Sequence, residues 1–478
     1  MLDTIRKIKA YQDLLADLRA GVPLPGLALA RAARLAVTAA LQKDLERPVL
    51  LITDRADRAL TLFDELGFWA AETPRLYFPE PNPMFYEQAA WGPVPRRDRL
   101  QVLTLLASYH VPGATKPAKP PIIVTPVRAV MTRTLPRRDF LKASKMLKVG
   151  QTISPDSLKR GWVELGYQSA DTVLEPGQFS HRGGILDVWP PSEPYPARIE
   201  FFGDEIDTLR AFDPASQRKQ NNLQSLQVTP AREVMLSKAE GLGVSAPELE
   251  EFYLPLVHSM PASVLDYLPA NALVVVDDLD NLQTLANEIE EQAVKLRADS
   301  IGEGTLTAEF PVPYLTWSEI QDNLSGRAWL ELGRGTASET SALAECFTPG
   351  PRYGGKIRPF MDYLLSGIHA GERMVIVSRQ VARIRELWRE QAVLNQSEGE
   401  PDFLEGTLGD GWILSLPDGG KLHLLTDSEI FGWERPQPRL RSRRAAAAPE
   451  DEYTDFKVGD YVVHVDYGVG RYGGLVRR

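Results

Sequence analysis

The sequence predicts a multidomain α/β protein with a β-rich insert, and three observations support this prediction. The chain has 478 residues, more than one hydrophobic core usually serves, so about three or four domains are expected. Apolar strand patterns alternate with helix patterns in residues 1–134 and again in residues 230–335, which is typical of a sheet covered by helices. Between them, residues 135–229 contain shorter strand patterns and turns. We therefore expect one α/β domain that is interrupted by an insert.

The first segment begins with two predicted helices and a buried strand. Apolar residues at three-and-four spacing predict an amphipathic helix over residues 3–20, which Gly21 and the following prolines end. An alanine-rich helix then extends to about Leu45. The apolar run Pro48-Val-Leu-Leu-Ile-Thr53 suits a buried parallel strand. The remaining patterns of this segment are helices over residues 56–66 and 97–109 and a strand over residues 121–125.

The α/β pattern returns after the insert and is followed by two further regions. Residues 272–278 and 329–332 predict strands, and residues 282–298 predict a helix. We expect a second, small α/β domain over residues 336–434. Its predicted elements are a helix after Ile357, a strand over 374–378, a helix over 381–393 and strands near Trp412 and over 422–426. Residues 435–452 contain prolines, arginines and alanines without apolar periodicity, as a linker does.

Composition excludes several classes of protein. A hydrophobic content of 43% and a charged content of 25% are ordinary for a globular protein, and the formal net charge of −10 gives no overall basic character for holding DNA. A single cysteine, Cys346, excludes an internal disulfide framework and a cysteine-based zinc site. No apolar run reaches the roughly 18 to 20 residues that span a bilayer, and the N-terminus does not read as a signal peptide. We expect a cytoplasmic protein without a membrane partner.

The insert contains two short strand patterns that form a candidate binding face. Residues 184–189 and 197–202 predict the strands, and prolines between them predict the turn. The two-residue period of a strand places Arg198, Glu200 and Phe202 on one face. Arginine and aromatic side chains side by side are typical of protein-binding hot spots. The alternative is a solvated hairpin face with a surface ion pair.

The same stretch resembles a known family. The runs Arg182-Gly-Gly-Ile-Leu-Asp-Val-Trp-Pro-Pro and Arg198-Ile-Glu-Phe-Phe-Gly-Asp-Glu-Ile-Asp are similar to the interaction domain shared by UvrB and the transcription-repair coupling factor (Mfd) family. Phe212-Asp213-Pro214 and Gln217-Arg218 also fit. The resemblance implies a UvrB-like, degenerate α/β domain around the insert. It also implies that UvrA binds to Arg182, Arg198 and Phe202, with Glu200 as a lesser candidate.

A second resemblance lies at the end of the chain. Gly459-Asp-Tyr-Val-Val-His-Val-Asp-Tyr-Gly-Val-Gly-Arg-Tyr is similar to the start of the RNA-polymerase-interacting domain shared with CarD-like regulators. It implies a contact with the β subunit of RNA polymerase through residues in this run, namely Val463, His464, Gly468, Gly470 and Arg471. We expect His464 to be a structural strand residue, and Gly468 and Gly470 to supply the turn of a small β-barrel. Residues 453–478 are too few to close such a barrel, so we expect a fragment in which the polymerase contact is weak or lost.

The UvrB resemblance raises the question of a nucleotide site. A phosphate loop needs glycines, a lysine and a Ser or Thr, but residues 23–34, where UvrB-like proteins carry it, contain no lysine. We expect Arg31 and Arg34 to lie on a solvated helix face. Residues 350–356 have the spacing of such a loop, but Ile357 stands at the Ser/Thr position and no apolar strand precedes them. We interpret Asp277-Asp278 as a strand terminus and helix cap, and expect no catalytic residue, cofactor or metal.

These features together indicate an adaptor in transcription-coupled nucleotide excision repair. It would recruit UvrA to stalled RNA polymerase. The resemblance places the ATP-driven translocase, which acts on DNA, later in full-length family members. Two alternatives are a UvrB-type excision-repair helicase subunit and a CarD-like RNA polymerase-binding transcription regulator. The missing phosphate loop counts against the first, and the long UvrB-like region before Phe456 counts against the second.

Overall fold

A computed structural model of the chain describes residues 1–24, 26–112, 116–236, 239, 249–260, 262–333, 341–394, 399–433, 461–464 and 468–471. The chain folds into two compact units. The first unit comprises Met1–Lys145, Glu164–Gly166 and Thr229–Leu440, and the second comprises Met146–Val163, Tyr167–Val228 and Arg441–Arg478. Helices and several sheets in these units give the mixed α/β, multidomain architecture that the sequence predicts. The boundaries proposed above for the individual domains stay predictions.

The strands, in chain order, are β1 (Val49–Thr53), β2 (Arg75–Tyr77), β3 (Ile122–Pro126), β4 (Lys145–Lys148), β5 (Gln168–Ser169), β6 (Gln178–Arg182), β7 (Ile185–Val188), β8 (Ala197–Phe202), β9 (Glu205–Phe212), β10 (Lys219–Asn222), β11 (Ser225–Val228), β12 (Leu273–Val276), β13 (Trp329–Glu331), β14 (Phe347–Thr348), β15 (Arg373–Ser378), β16 (Asp402–Glu405), β17 (Trp412–Ser415), β18 (Lys421–Thr426), β19 (Tyr461–His464) and β20 (Gly468–Arg471).

The α-helices are α1 (Leu2–Ile5), α2 (Lys9–Ala20), α3 (Arg31–Leu45), α4 (Ala56–Trp69), α5 (Pro93–Ser108), α6 (Val127–Met131), α7 (Arg137–Ala143), α8 (Pro155–Glu164), α9 (Leu254–Val257), α10 (Leu279–Gly302), α11 (Trp317–Ser325), α12 (Ala342–Glu345), α13 (Ile357–His369), α14 (Val381–Leu394) and α15 (Asp427–Phe431). Short 3₁₀ helices occupy Glu251–Tyr253 and Val264–Tyr267.

The first unit contains a parallel sheet with β1 at its centre. The strand order is β13-β12-β1-β3-β2, and each neighbouring pair is parallel. All five residues of β1 are buried, which confirms the buried parallel strand predicted from its continuous apolar run. The predicted helix over residues 3–20 is interrupted, because Ile8 is extended and separates α1 from α2. This break lets both Ile5 and Ile8 enter the core, where they are 0% and 3% exposed.

A second sheet in the first unit shares the hydrophobic core of the parallel sheet. Its order is β14-β17-β18-β15-β16; β15 is parallel to β16 and β18, whereas β17 is antiparallel to β14 and β18. Trp69, at the end of α4, stacks on Trp412 of β17 with ring centroids 6.2 Å apart. The amide of Gly409 donates to Glu65 of α4 at 3.0 Å. The two sheets are therefore joined by apolar and polar contacts.

The second unit is built on a six-stranded sheet of order β10-β9-β8-β7-β6-β5. The pairs from β6 to β10 are antiparallel, and β5 is parallel to β6. One face carries apolar side chains, and Trp162 of α8 packs against Phe179 on it with ring centroids 5.6 Å apart. Strands β4 and β11 form a separate two-stranded sheet.

Strands β19 and β20 form an antiparallel hairpin, and its register corrects one prediction. His464 pairs with Gly468, and Val462 pairs with Gly470. Both glycines therefore lie in the second strand rather than in the turn that was predicted from them. In the part of the chain that the structure describes, no helix is long and apolar enough to cross a membrane.

Candidate functional site

The antiparallel sheet of the second unit places the predicted binding residues on one face. Residues that pair directly across antiparallel strands share a face. Arg182 pairs with Ile185, Ile185 with Glu200 and Glu200 with Thr208. The adjacent row pairs Asp187 with Arg198 and Arg198 with Arg210. We call this surface the polar face; it comprises Ser180, Arg182, Ile185, Asp187, Arg198, Glu200, Phe202, Thr208 and Arg210.

Phe202 lies on the polar face although β9 has a bulge opposite the end of β8. The register shifts after Glu200, so that Thr208 pairs with Glu200 but Ile206 pairs with Phe201. The extra residue, Asp207, lies in β9, and β8 keeps its alternation. Phe202 therefore points to the same side as Glu200.

Arg182 and Phe202 immediately precede two hairpin tips at the same end of the sheet. Each tip has two residues, and the first is a glycine with positive φ, +60° at Gly183 and +61° at Gly203, as tight hairpins require. The amide of Phe201 in β8 donates to the carbonyl of Gly184 at 2.9 Å, which ties the first tip to β8. Phe202 is 83% exposed, the largest fraction for any large apolar side chain among the described residues.

Arg198 is held by the sheet itself. Its Nε and Nη2 donate to the two carboxylate oxygens of Asp187, each at 2.8 Å, and Nη2 also donates to Gln217 at 3.1 Å. The guanidinium lies 4.7 Å from the ring centroid of Phe212. The hydrogen bond to Asp187 raises the pKa of Arg198 above its ordinary value, although burial opposes this shift. Sequence analysis did not identify Asp187, Phe212 or Gln217 as partners of Arg198.

The other two predicted residues differ in how their charges are compensated. Glu200 accepts a hydrogen bond from Thr208 at 2.8 Å and forms an ion pair with Arg210. Arg182 donates to the hydroxyl of Thr172 at 2.8 Å and to the carbonyl of Asp171. Among the described residues Arg182 has no carboxylate within ion-pair distance, so it is the uncompensated cation on the same face as Phe202.

The segment 23–34, where UvrB-like proteins carry a phosphate loop, here contributes Arg34 to a buried ion pair. Arg34, at the start of α3, donates to the carbonyl of Leu29 at 3.0 Å and to Asp277 at 2.9 Å. The prediction that Arg34 lies on a solvated helix face is wrong, because its side chain is only 6% exposed. Asp277 follows β12 at the carboxyl edge of the parallel sheet, where ligands bind in open α/β folds. There it also accepts from Thr53 at 3.1 Å and from Arg58 at 3.2 Å.

The two acidic residues after β12 have different roles. Asp278 is the N-cap of α10 and accepts from the amide of Asn281, which confirms the predicted cap. Asp277 is 5% exposed. Burial would raise the pKa of its carboxyl, but Arg58 and Arg34 outweigh burial and lower that pKa below its ordinary value. Asp277 is therefore held as a carboxylate by two internal arginines.

Two backbone amides of the glycine-rich stretch 350–356 form hydrogen bonds to carbonyl groups of the protein itself. Tyr353 and Gly355 donate to the carbonyls of Glu429 and Ile430 at 2.7 and 2.8 Å. The strand before this stretch, β14, has only the two residues Phe347 and Thr348 and pairs antiparallel with β17. In the described residues no group of three or more His, Cys, Asp or Glu side chains is placed to hold a metal ion.

The residues proposed for polymerase binding share one hairpin. Val463 and His464 lie in β19, and Gly468, Gly470 and Arg471 lie in β20. Arg471 pairs with Tyr461 at the open end of the hairpin, and Val463 pairs with Val469. The backbone thus brings all five together, while their side chains lie outside the described part of the structure.

Comparison with known proteins identifies relatives and two domains. Residues 146–234 match the UvrB interaction domain, and residues 456–478 match the CarD-like/TRCF RID domain. The chain is similar over 98% of its length to the transcription-repair-coupling factors of Bacillus subtilis (strain 168), at 25% identity, and Myxococcus xanthus, at 26% identity. Each alignment covers 44% of the relative, so the chain spans less than half the length of these relatives. The matches confirm the resemblances read from residues 182–207 and 459–472.

Proposed function

We propose that the chain is an adaptor of transcription-coupled nucleotide excision repair that binds UvrA through the polar face and brings it to stalled RNA polymerase. The two matched domains support this proposal, since one is the UvrB interaction domain and the other is named for CarD-like regulators and TRCF. Relatives named transcription-repair-coupling factor align over nearly the whole chain.

The exposure of Phe202 is the observation that carries the proposal. An aromatic ring that is 83% exposed at the tip of a hairpin loses contact with water when a partner covers it. Buried aromatic and arginine anchors supply most of the binding energy of typical interfaces. Phe202 lies on the same face as Arg182, which is exposed and has no carboxylate partner among the described residues.

The charges of the polar face indicate the chemistry of the partner surface. Asp187 compensates Arg198, and Arg210 compensates Glu200. The uncompensated charge is that of Arg182. The complementary surface on UvrA therefore has an apolar pocket for Phe202 and a carboxylate within reach of Arg182.

Calorimetric titration of UvrA into the chain tests this proposal. Phe202→Ala should weaken binding by about 2 kcal/mol or more, which is a factor of about 30 in Kd. Phe202 contacts little in the free protein, so this change should leave thermal unfolding unaltered. Met260→Ala is the matched control, because Met260 is an apolar residue of the first unit that is 74% exposed.

Equal affinities of Phe202→Ala and Met260→Ala for UvrA would contradict the assignment of the face. Absence of binding by the unaltered chain would contradict the adaptor function itself. Both variants should be measured at the same salt concentration, so that long-range charge contributes equally to the two affinities.

We propose that the second partner is the β subunit of RNA polymerase. The match of residues 456–478 to the CarD-like/TRCF RID domain supports this contact, and strands β19 and β20 arrange its backbone. A pull-down of the β subunit by the chain, compared with a chain that ends at Trp433, tests it. Retention that does not depend on the residues after Trp433 would place the contact elsewhere.

The alternative of a UvrB-type helicase subunit is disfavoured by the buried pair of Arg34 and Asp277. A carboxylate at this edge of the sheet would face the metal-bound nucleotide in an ATPase, but here two arginines occupy it. We therefore propose that this chain does not hydrolyse ATP, and that ATP-driven movement on DNA belongs to other parts of full-length relatives. Measurable ATP turnover by the purified chain would reverse this conclusion.

A further inference from the structure

Gln217 lies beside Arg198 in an unusual backbone conformation. Its φ is +58°, in the left-handed region that non-glycine residues other than Asn and Asp seldom adopt. The loop stabilises this conformation, because the amide of Gln217 donates to the carbonyl of Asp213 at 2.8 Å and the amide of Asp213 donates to the carbonyl of Arg218 at 2.9 Å. The side chain of Gln217 then reaches back to β8.

The side chain of Gln217 links the loop to Arg198. Its Nε2 donates to the carbonyl of Pro214 at 2.8 Å, and its Oε1 accepts from Nη2 of Arg198 at 3.1 Å. A guanidinium carries five N–H groups in a rigid plane, one on Nε and two on each terminal nitrogen. Asp187 takes the N–H of Nε and one N–H of Nη2, and Gln217 takes the second N–H of Nη2.

One nitrogen of Arg198 is left for a partner. Among the described residues Nη1 makes no hydrogen bond, and the side chain retains 20% of its exposure. The ring of Phe212 covers one side of the guanidinium plane. Two N–H groups on Nη1, in a fixed direction, are thus the donors that the polar face can offer from Arg198.

We infer that Gln217 is a positioning residue, which occupies the second N–H of Nη2 and thereby directs Nη1 of Arg198 toward UvrA. This inference rests on the proposed function, since UvrA is the partner in question. Without Gln217 the plane is held at one edge by Asp187 alone, and Nη2 competes with Nη1 for the acceptor on the partner. The orientation is set before binding, so little entropy is lost when UvrA docks.

The variant Gln217→Gly separates positioning from structure. Glycine adopts φ near +58° without strain, and its amide can still donate to Asp213, so thermal stability should be unchanged or higher. The affinity for UvrA should nevertheless fall about five- to tenfold, which corresponds to the free energy of one ordinary hydrogen bond. Ala215→Gly, two residues earlier in the same loop, is the control and should bind like the unaltered chain.

A double-mutant cycle with Arg198→Ala tests whether Gln217 acts through Arg198. In the Arg198→Ala background, Gln217→Gly should cause no further loss of affinity. An equal loss in both backgrounds, or no loss from Gln217→Gly alone, would overturn the positioning role while Phe202→Ala still weakened binding. If instead Phe202→Ala had no effect or the unaltered chain did not bind UvrA, the proposed function would fail and the inference would fail with it.

Discussion

Arg99 and Glu233 form an ion pair in which neither side chain exposes any surface, 0% in each case. Nε of Arg99 lies 2.6 Å from one carboxylate oxygen, and Nη2 lies 3.2 Å from the other. The guanidinium also lies 4.3 Å from the ring centroid of Phe78 and 4.8 Å from that of Trp91. Arg99 precedes and Glu233 follows the insert, which contributes Met146–Val163 and Tyr167–Val228 to the second unit. The pair therefore joins the two parts of the first unit that the insert separates in sequence.

Arg99→Met should strongly destabilise the first unit. The substitution leaves the carboxylate of Glu233 buried without its counter-ion, which typically costs about 3 to 5 kcal/mol of unfolding free energy. Arg99→Met combined with Glu233→Leu should recover most of that loss, because no buried charge remains. Urea unfolding followed by tryptophan fluorescence measures both.

A surface pair provides the control for the Arg99 variants. Lys9 and Asp13 lie 2.9 Å apart with side chains 83% and 59% exposed, and Lys9→Met should change stability by less than about 1 kcal/mol. A loss for Arg99→Met no larger than that for Lys9→Met would mean that the buried pair adds nothing to the stability of the fold.

Arg34→Met should destabilise the chain in a pH-dependent way. Arg58 and Arg34 lower the pKa of Asp277 in the folded chain, so this carboxylate contributes stability above its unfolded pKa and loses that contribution as pH falls through the folded pKa. Without Arg34, only Arg58 opposes the effect of burial, so the pKa of Asp277 rises. The difference in unfolding free energy should therefore be about 3 kcal/mol near pH 7 and should shrink as the pH falls below about 4, where Asp277 of the unaltered chain is also protonated. A difference that is constant over this range, measured by urea unfolding, would show that charge pairing at Asp277 does not matter.

The failure to predict the position of Arg34 has a physical reason. Helix α3 is rich in alanine and buries residues on all sides, from Ala33 to Gln42. Its sequence therefore has no amphipathic stripe from which the exposed side could be deduced. Strand β1 was predictable, because an apolar run with no alternation fits only a position that is buried on both faces.

For the candidate site, the sequence predicts the shared face but not the partners of Arg198. Alternation along β8 predicts which residues share a face with Arg198, because the period of a strand is local. It does not predict that Asp187 lies opposite Arg198, since that register depends on the length of the proline-rich turn. Gln217 reaches Arg198 through a loop conformation with positive φ, which no periodicity indicates.

The two remaining charges of the polar face should contribute unequally to binding. Arg182→Gln should weaken UvrA binding about tenfold, with most of the effect at low salt, because Arg182 carries the uncompensated charge. Glu200→Gln should change the affinity by less than about threefold, since Thr208 and Arg210 already satisfy Glu200. Titrations at low and high salt measure both effects. A larger loss for Glu200→Gln than for Arg182→Gln would reverse the assignment of these residues.

The turn at Gly203 should determine how well Phe202 is presented to UvrA. A Cβ at Gly203 would meet no atom within 4 Å, but φ is +61° there, so Gly203→Ala costs about 1 kcal/mol in backbone strain rather than in clashes. The strain relaxes by moving the adjacent Phe202, and UvrA affinity should fall several-fold. Gly21→Ala is the matched control, because Gly21 has φ +70° and equally open space at the end of α2 in the first unit. Both variants should lose similar stability, measured by urea unfolding, but only Gly203→Ala should lose affinity for UvrA. Equal affinities would mean that Phe202 reaches its pocket from a mobile tip, and that the fixed geometry of the hairpin does not contribute to recognition.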